Sequence, residues 1–151
     1  MAKIRHIALA TNDPIKTAEF YKQAFDFKEV GRTGNADDPK GIAWGIYLSD
    51  GTLNLAVLKF KNVDQLGKGL DYVGIHHFGV PIDDLPAQME KLEKMGAPCF
   101  MKPEPGMGDV FFETKFRGPD GVVFDCSEHP WVGAAPANVG EVKIKETEPA
   151  E

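Results

Sequence analysis

The chain repeats itself. Ile4-Arg5-His6-Ile7 returns as Ile75-His76-His77-Phe78, which sets His6 and His77 71 residues apart. The same displacement carries Asp13 to Asp84, Ala18 to Met89, Tyr21 to Leu92, Ala24 to Met95 and Asn54 to Asp125. One register thus links a strand, a helix start, a helix face and a final strand in two successive halves. A chain of 151 residues then holds two units of about 70 residues each and little else. At that size neither unit buries a sufficient core alone, so the halves must pack together or pair with a second chain.

Each half reads as strand, helix and three strands. In the first, residues 4–10 are apolar with partial alternation, and Asn12-Asp13-Pro14 starts a helix. Asn12 or Asp13 can cap it, and proline in the first turn loses no needed hydrogen bond. Ile15, Ala18, Tyr21 (or Phe20) and Phe25 follow at helical spacing. Strands are predicted at Phe27 to Gly31, Ile42 to Leu48 and Leu53 to Phe60, with a polar loop from Arg32 to Gly41. Asp50-Gly51 between two apolar runs signals a hairpin. In the second half a strand spans Gly74 to Pro81, and Asp83-Asp84 caps a helix bearing Leu85, Met89, Leu92 and Met95 on one face. Gly96 stops that helix. Strands follow at Pro98 to Met101, Val110 to Arg117 and Val122 to Ser127, separated by a loop from Lys102 to Asp109 and a Gly118-Pro119-Asp120-Gly121 turn.

The expected architecture is α+β, with two tandem βαβββ modules in one domain over residues 1–133. Module one spans 3–61, a linker 62–73 and module two 74–130. Residues 134–151 are rich in Ala, Pro, Glu and Lys, and a loose, flexible tail is expected there. The formal net charge of −6 argues against a nucleic-acid partner, since phosphate binders carry basic patches. No apolar run reaches the roughly 18 residues that a membrane span needs. The N-terminus lacks the apolar core of a signal peptide, so a cytoplasmic protein with Cys99 and Cys126 reduced is expected.

Several of these residues also carry a family resemblance. They are His6 with Asp13 seven residues on, Phe20-Tyr21 in the first helix, and His77 with Asp84 seven residues on. Gly118-Pro119-Asp120-Gly121 leading into Phe124-Asp125 completes the set. Over roughly residues 3–130 the chain resembles the vicinal oxygen chelate superfamily, which includes glyoxalase I, methylmalonyl-CoA epimerase, extradiol dioxygenases and bleomycin-resistance proteins. The resemblance implies a curved mixed sheet around a metal and substrate cavity. It also implies a metal site on four equivalent positions, here His6, Asn54, His77 and Asp125.

The residues support part of that site on their own. His6 and His77 occupy apolar strands at equivalent places in the repeat, and Asp125 sits in Val122-Val123-Phe124-Asp125-Cys126. A buried imidazole or carboxylate without a partner is costly. Two imidazoles and one carboxylate converging on a divalent cation remove that cost, and the set suits Fe, Zn, Mn, Ni or Co. Asn54 is shorter than the family's Glu or Gln, so it is expected beside the ligands or against substrate rather than on the metal. His76 should face away from its neighbour His77. Further candidates are Asp125 and His129 as catalytic groups, and Trp44, Phe112, Glu113 and Asn54 as substrate contacts. Tyr47, Phe111, Phe116 and Lys115 lie on the same third strands as three of these.

Three functions fit. The foremost is a metal-dependent lyase or isomerase of the glyoxalase or epimerase kind, acting on a small oxygen-chelating substrate. The second is a non-haem iron extradiol-type dioxygenase using the His6, His77 and Asp125 triad. The third is a metal-free small-molecule binding or resistance protein. A small-molecule substrate and a homodimer are the expected partners.

Overall fold

The computed structural model describes residues 1–61, 66–103 and 112–140. The elements run β1 (His6–Ala10), α1 (Pro14–Phe25), β2 (Lys28–Thr33), β3 (Ala43–Ser49), β4 (Asn54–Phe60), β5 (Gly74–Pro81), α2 (Leu85–Lys94), β6 (Cys99–Met101), β7 (Thr114–Arg117) and β8 (Val123–Ser127). A 3-10 turn at Pro119–Gly121 precedes β8. The predicted elements are all present, with ends moved by one to three residues at most places. The predicted strand from Val110 is the largest difference. Phe112 and Glu113 precede β7, and 110–111 lie outside the described residues, as do parts of the linker, the 102–109 loop and the tail.

Both helices start as their sequences direct. The Asp13 carboxylate accepts from the Lys16 N–H at 3.0 Å, with Pro14 at the first helical position. The Asp84 carboxylate accepts from the Ala87 N–H at 3.0 Å, 71 residues later. Each such cap contributes about 1 kcal/mol. Gly96, at φ +84°, ends α2 in the left-handed region.

The strands form one mixed eight-stranded sheet in the order β2-β3-β4-β1-β5-β8-β7-β6. In each module the first strand runs parallel to the last, β1 with β4 and β5 with β8. The modules meet where β1 pairs antiparallel with β5, so the two halves join within one chain. Strand alternation divides the sheet into two faces. On the helix face of module one, Ala18 of α1 packs on Ile46, Leu48 and Val57. On that of module two, Leu92 and Ala97 pack on Phe116 and Cys126. Burying a side chain such as Leu48 or Phe116 contributes roughly 1.5–3 kcal/mol. The opposite face carries the polar residues and the cleft.

The segment after β8 crosses back to module one as a strap. The Asn54 amide donates to Val132 O at 2.8 Å, and Ser49 Oγ donates to Gly133 O at 2.7 Å. Ala135 N–H donates to Thr52 O at 3.1 Å, and the Arg5 guanidinium donates to Pro136 O and Val139 O. Residues 134–140, placed in the tail by sequence, are therefore tied to module one. Residues 141–151 lie outside the described residues. Among the described residues, no helix is long and apolar enough to cross a membrane.

Candidate metal centre

The site is a row drawn straight across the sheet. His6 pairs with Asn54 on one side and with Gly79 on the other. Gly79 pairs with Asp125, and Asp125 with Lys115. Cross-strand partners share a face, so these five positions all lie on the face that carries the cleft. His77, two residues before Gly79, joins them on the same face. By strict repeat His77 would pair with Asp125; the observed register is displaced by two, an even number that leaves the face unchanged.

Three ligand atoms converge there. His6 Nε2 and His77 Nε2 are 3.3 Å apart, and Asp125 Oδ2 lies 3.2 Å from His77 Nε2 and 4.0 Å from His6 Nε2. All three residues are buried. The outer contacts show which atoms carry lone pairs. His6 Nδ1 is 2.7 Å from Asn54 Oδ1, an atom that can only accept, so His6 carries its hydrogen on Nδ1. Val132 O fixes the Asn54 amide in that orientation by taking its N–H. Burial, reinforced by the neighbouring His77, lowers the His6 pKa to about 3, so the ring is neutral and its Nε2 lone pair points inward. Asp125 Oδ2 is buried and accepts no well-formed hydrogen bond. Burial alone would raise the Asp125 carboxyl, but His77 and Lys115 outweigh it and hold it well below the usual carboxylate range. A buried carboxylate oxygen and inward imidazole nitrogens are the donor set of a divalent cation, and the residues fit one.

The remaining polar groups support this centre. Lys115 Nζ donates to Asp125 Oδ1 at 2.8 Å, leaving Oδ2 for the centre. Trp131, from the strap, lies parallel to the His6 ring with centroids 5.0 Å apart. Its Nε1–H donates to Glu113 Oε1 at 3.2 Å. Gly79 makes room for this ring, since a Cβ there would stand 2.7 Å from Trp131. Burial pushes the Glu113 carboxyl up, against the opposing charge of Lys115.

A cleft of about 450 Å³ opens onto the centre, and His6, His77, Glu113, Lys115, Tyr47 and Phe60 are among its walls. A second cavity of about 430 Å³ lies beside Trp131. The structure thus brings together His6, His77, Asp125 and Glu113. It does not bring His129 to them: His129 is exposed, its Nδ1 bonds Pro130 O at 2.7 Å, and it lines the second cavity with Phe112. Trp44 shares the parity of Ile46 and Leu48 and so belongs to the helix face; Tyr47 is the cleft aromatic of that strand. The Asn54 amide is directed at His6 and Val132, and Asn54 lines the second cavity. Phe111 lies outside the described residues. His76 does not face away from His77: their Nδ1 atoms are 2.6 Å apart. The extra residue in β5 opposite Ala8 and Leu9 breaks the alternation there. Sequence reasoning misses Trp131; its one local signal is an aromatic just beyond the last strand.

The family is shown by comparison. The profile of the Glyoxalase/Bleomycin resistance protein/Dioxygenase superfamily matches residues 3–125, and the chain belongs to that superfamily. Among curated proteins none matches. Among solved structures, a methylmalonyl-CoA epimerase in complex with methylmalonyl-CoA and NH4+ is similar at 21% identity and a TM-score of 0.66. That match covers 83% of this chain and 93% of the other. A Streptomyces coelicolor methylmalonyl-CoA epimerase variant in complex with 2-nitronate-propionyl-CoA gives 21% and 0.68, covering 90% and 99%. A hypothetical protein from Bacillus halodurans C-125 gives 18% and 0.68, covering 86% and 96%. At these identities the likeness establishes the shared fold.

Proposed function

We propose that the protein is a metal-dependent isomerase that moves a proton on a carbon beside a carbonyl of a small, oxygen-chelating substrate. The observation that carries this reading is the convergence of His6 Nε2, His77 Nε2 and Asp125 Oδ2 beside the cleft that His6 and His77 line. His6, His77 and Asp125 would hold the cation. A divalent cation there supplies positive charge to a chelated carbonyl oxygen, which acidifies the neighbouring C–H. Glu113 takes the proton and returns one to carbon. Its burial beside the centre raises its carboxyl above the ordinary carboxylate value, which strengthens it as a base for that proton. The Trp131 N–H orients the Glu113 carboxylate, and Lys115 offsets the charge that Asp125 places nearby. The epimerase fold neighbours agree with this chemistry.

A second reading is favoured by one observation. The Asn54 amide is turned to His6, which leaves two imidazoles and one carboxylate, the ligand set of non-haem iron oxygenases. Metal analysis of purified protein, with His77→Ala as control, separates the readings. Zinc, cobalt or nickel with deuterium exchange beside a thioester carbonyl supports the isomerase. Iron with oxygen uptake on catechols supports the oxygenase. Absence of binding by any of these metals rejects both and leaves a small-molecule binding protein. A homodimer is part of the proposal, and sedimentation of the full chain tests it.

A further inference from the structure

The mechanism leaves one buried histidine unused. His76 is 3% exposed, and its ring stacks on Phe60 with centroids 4.6 Å apart. The edge of Tyr72 approaches it at 6.3 Å. Phe60 is a cleft residue, so His76 stands on the cleft side of the sheet. Regular alternation would have put it on the other side. The register shows why it is here: Ala8 pairs with His77 and Leu9 with Ile75, which leaves His76 as the extra residue of a β-bulge. Bulges re-aim side chains, and this one sets two successive imidazoles on one face.

At 2.6 Å between the two Nδ1 atoms, one of them must carry the hydrogen. The direction matters for the centre. Were His76 the donor, neutral His77 would hold its hydrogen on Nε2, at the point where His6 Nε2 and Asp125 Oδ2 converge. With His77 as donor, its Nε2 lone pair is exposed to that point instead. His6 has the same arrangement, with Asn54 Oδ1 as its acceptor. Metal-ligating histidines generally donate their second N–H to an acceptor that fixes ring and tautomer.

We propose that His76 is the positioning residue of His77, accepting the His77 Nδ1–H on its own Nδ1 and so turning the His77 Nε2 lone pair toward Asp125 and His6. The proposal rests on the metal reading of the site. The β5 bulge thereby recruits an imidazole where Asn54 serves the equivalent histidine of module one.

The test uses full-length protein. In zinc-loaded wild type with 15N-labelled histidine, a scalar coupling across the hydrogen bond should join the Nδ1 atoms of His76 and His77. Cobalt(II) titration of metal-free protein should then show His76→Phe, which keeps the stacked ring but lacks an acceptor, binding about 10- to 100-fold more weakly. His76→Gln, which retains an acceptor oxygen, should recover most of that loss and restore the cobalt absorption spectrum. Absence of the coupling overturns the proposal, and so does a His76→Phe affinity equal to wild type. It is also overturned if His76→Gln falls as far as His76→Phe, since packing alone would then be at work. The coupling is read on wild type and stands even if a variant does not fold. Failure of wild type to take up zinc or cobalt is a different result: it overturns the metal reading and this proposal with it.

Discussion

Lys115 gives Asp125 a structural role beside its proposed place at the metal. The two charges are buried 2.8 Å apart, and removing one partner of such a pair leaves the other stranded, at a cost of about 3–5 kcal/mol. Asp125→Asn should therefore lower unfolding stability by that order and abolish metal uptake, as read by denaturant titration and metal analysis. Lys115→Met should also destabilise the metal-free protein, but zinc should restore it, because the cation supplies the missing positive charge. Glu113→Gln keeps an acceptor for the Trp131 N–H while removing the proposed proton-transfer group. It should slow substrate proton exchange by about 10²- to 10⁴-fold with metal uptake unchanged. At this scale the sequence is informative where chemistry conflicts with its local surroundings. His6, His77 and Asp125 stand out as polar residues in apolar strands, and the repeat ties them together. Trp131 conflicts with nothing nearby. Its partners His6, Gly79 and Glu113 come from three separate parts of the chain, and only folding shows that they meet.

The helices are legible because their signals are local: a capping aspartate, a proline in the first turn and an apolar stripe. The bulge in β5 carries no comparable signal, since it arises from how β5 registers against β1. That is why alternation alone puts His76 on the wrong face. Trp44 lies on a regular strand, and its sequence leaves open only which parity faces the helix. The strap depends on one strand position in a similar way. Gly79 has ordinary strand pairing, and its lack of a side chain is explained by the Trp131 ring that a Cβ would strike. Gly79→Ala should cost about 1–3 kcal/mol through overpacking and push Trp131 off His6. With Trp44→Phe as background, Trp131 is the only tryptophan, and a shift in its emission would report the displacement.

Over the whole molecule, buried titrating groups give stability a definite pH dependence. The His6 pKa is near 3 in the folded chain against 6.5 for an ordinary histidine. Below about 6.5 the unfolded chain takes up a proton that the folded chain refuses, so this contribution is lost as pH falls from there toward 3. Asp125, held low in the folded state, acts in the same sense below the ordinary carboxylate range, near 3.8. Glu113 opposes them: its raised carboxyl makes stability fall as pH rises past 4.5. Thermal melts of metal-free protein should thus show stability declining with acid, more steeply between pH 4.5 and 6.5 in Glu113→Gln than in wild type.

The β1–β5 pairing has one more consequence. His6 lies on one side of that junction and Asp125 on the other, with His77 on β5 itself. Any motion that parts the two halves must also part His6 from the other two proposed ligands. A cation bound by all three acts as a removable staple across an internal duplication, and its binding free energy opposes separation of the halves. Chelation would then loosen the molecule along this one line, with hydrogen exchange rising first in the amides that β1 and β5 share.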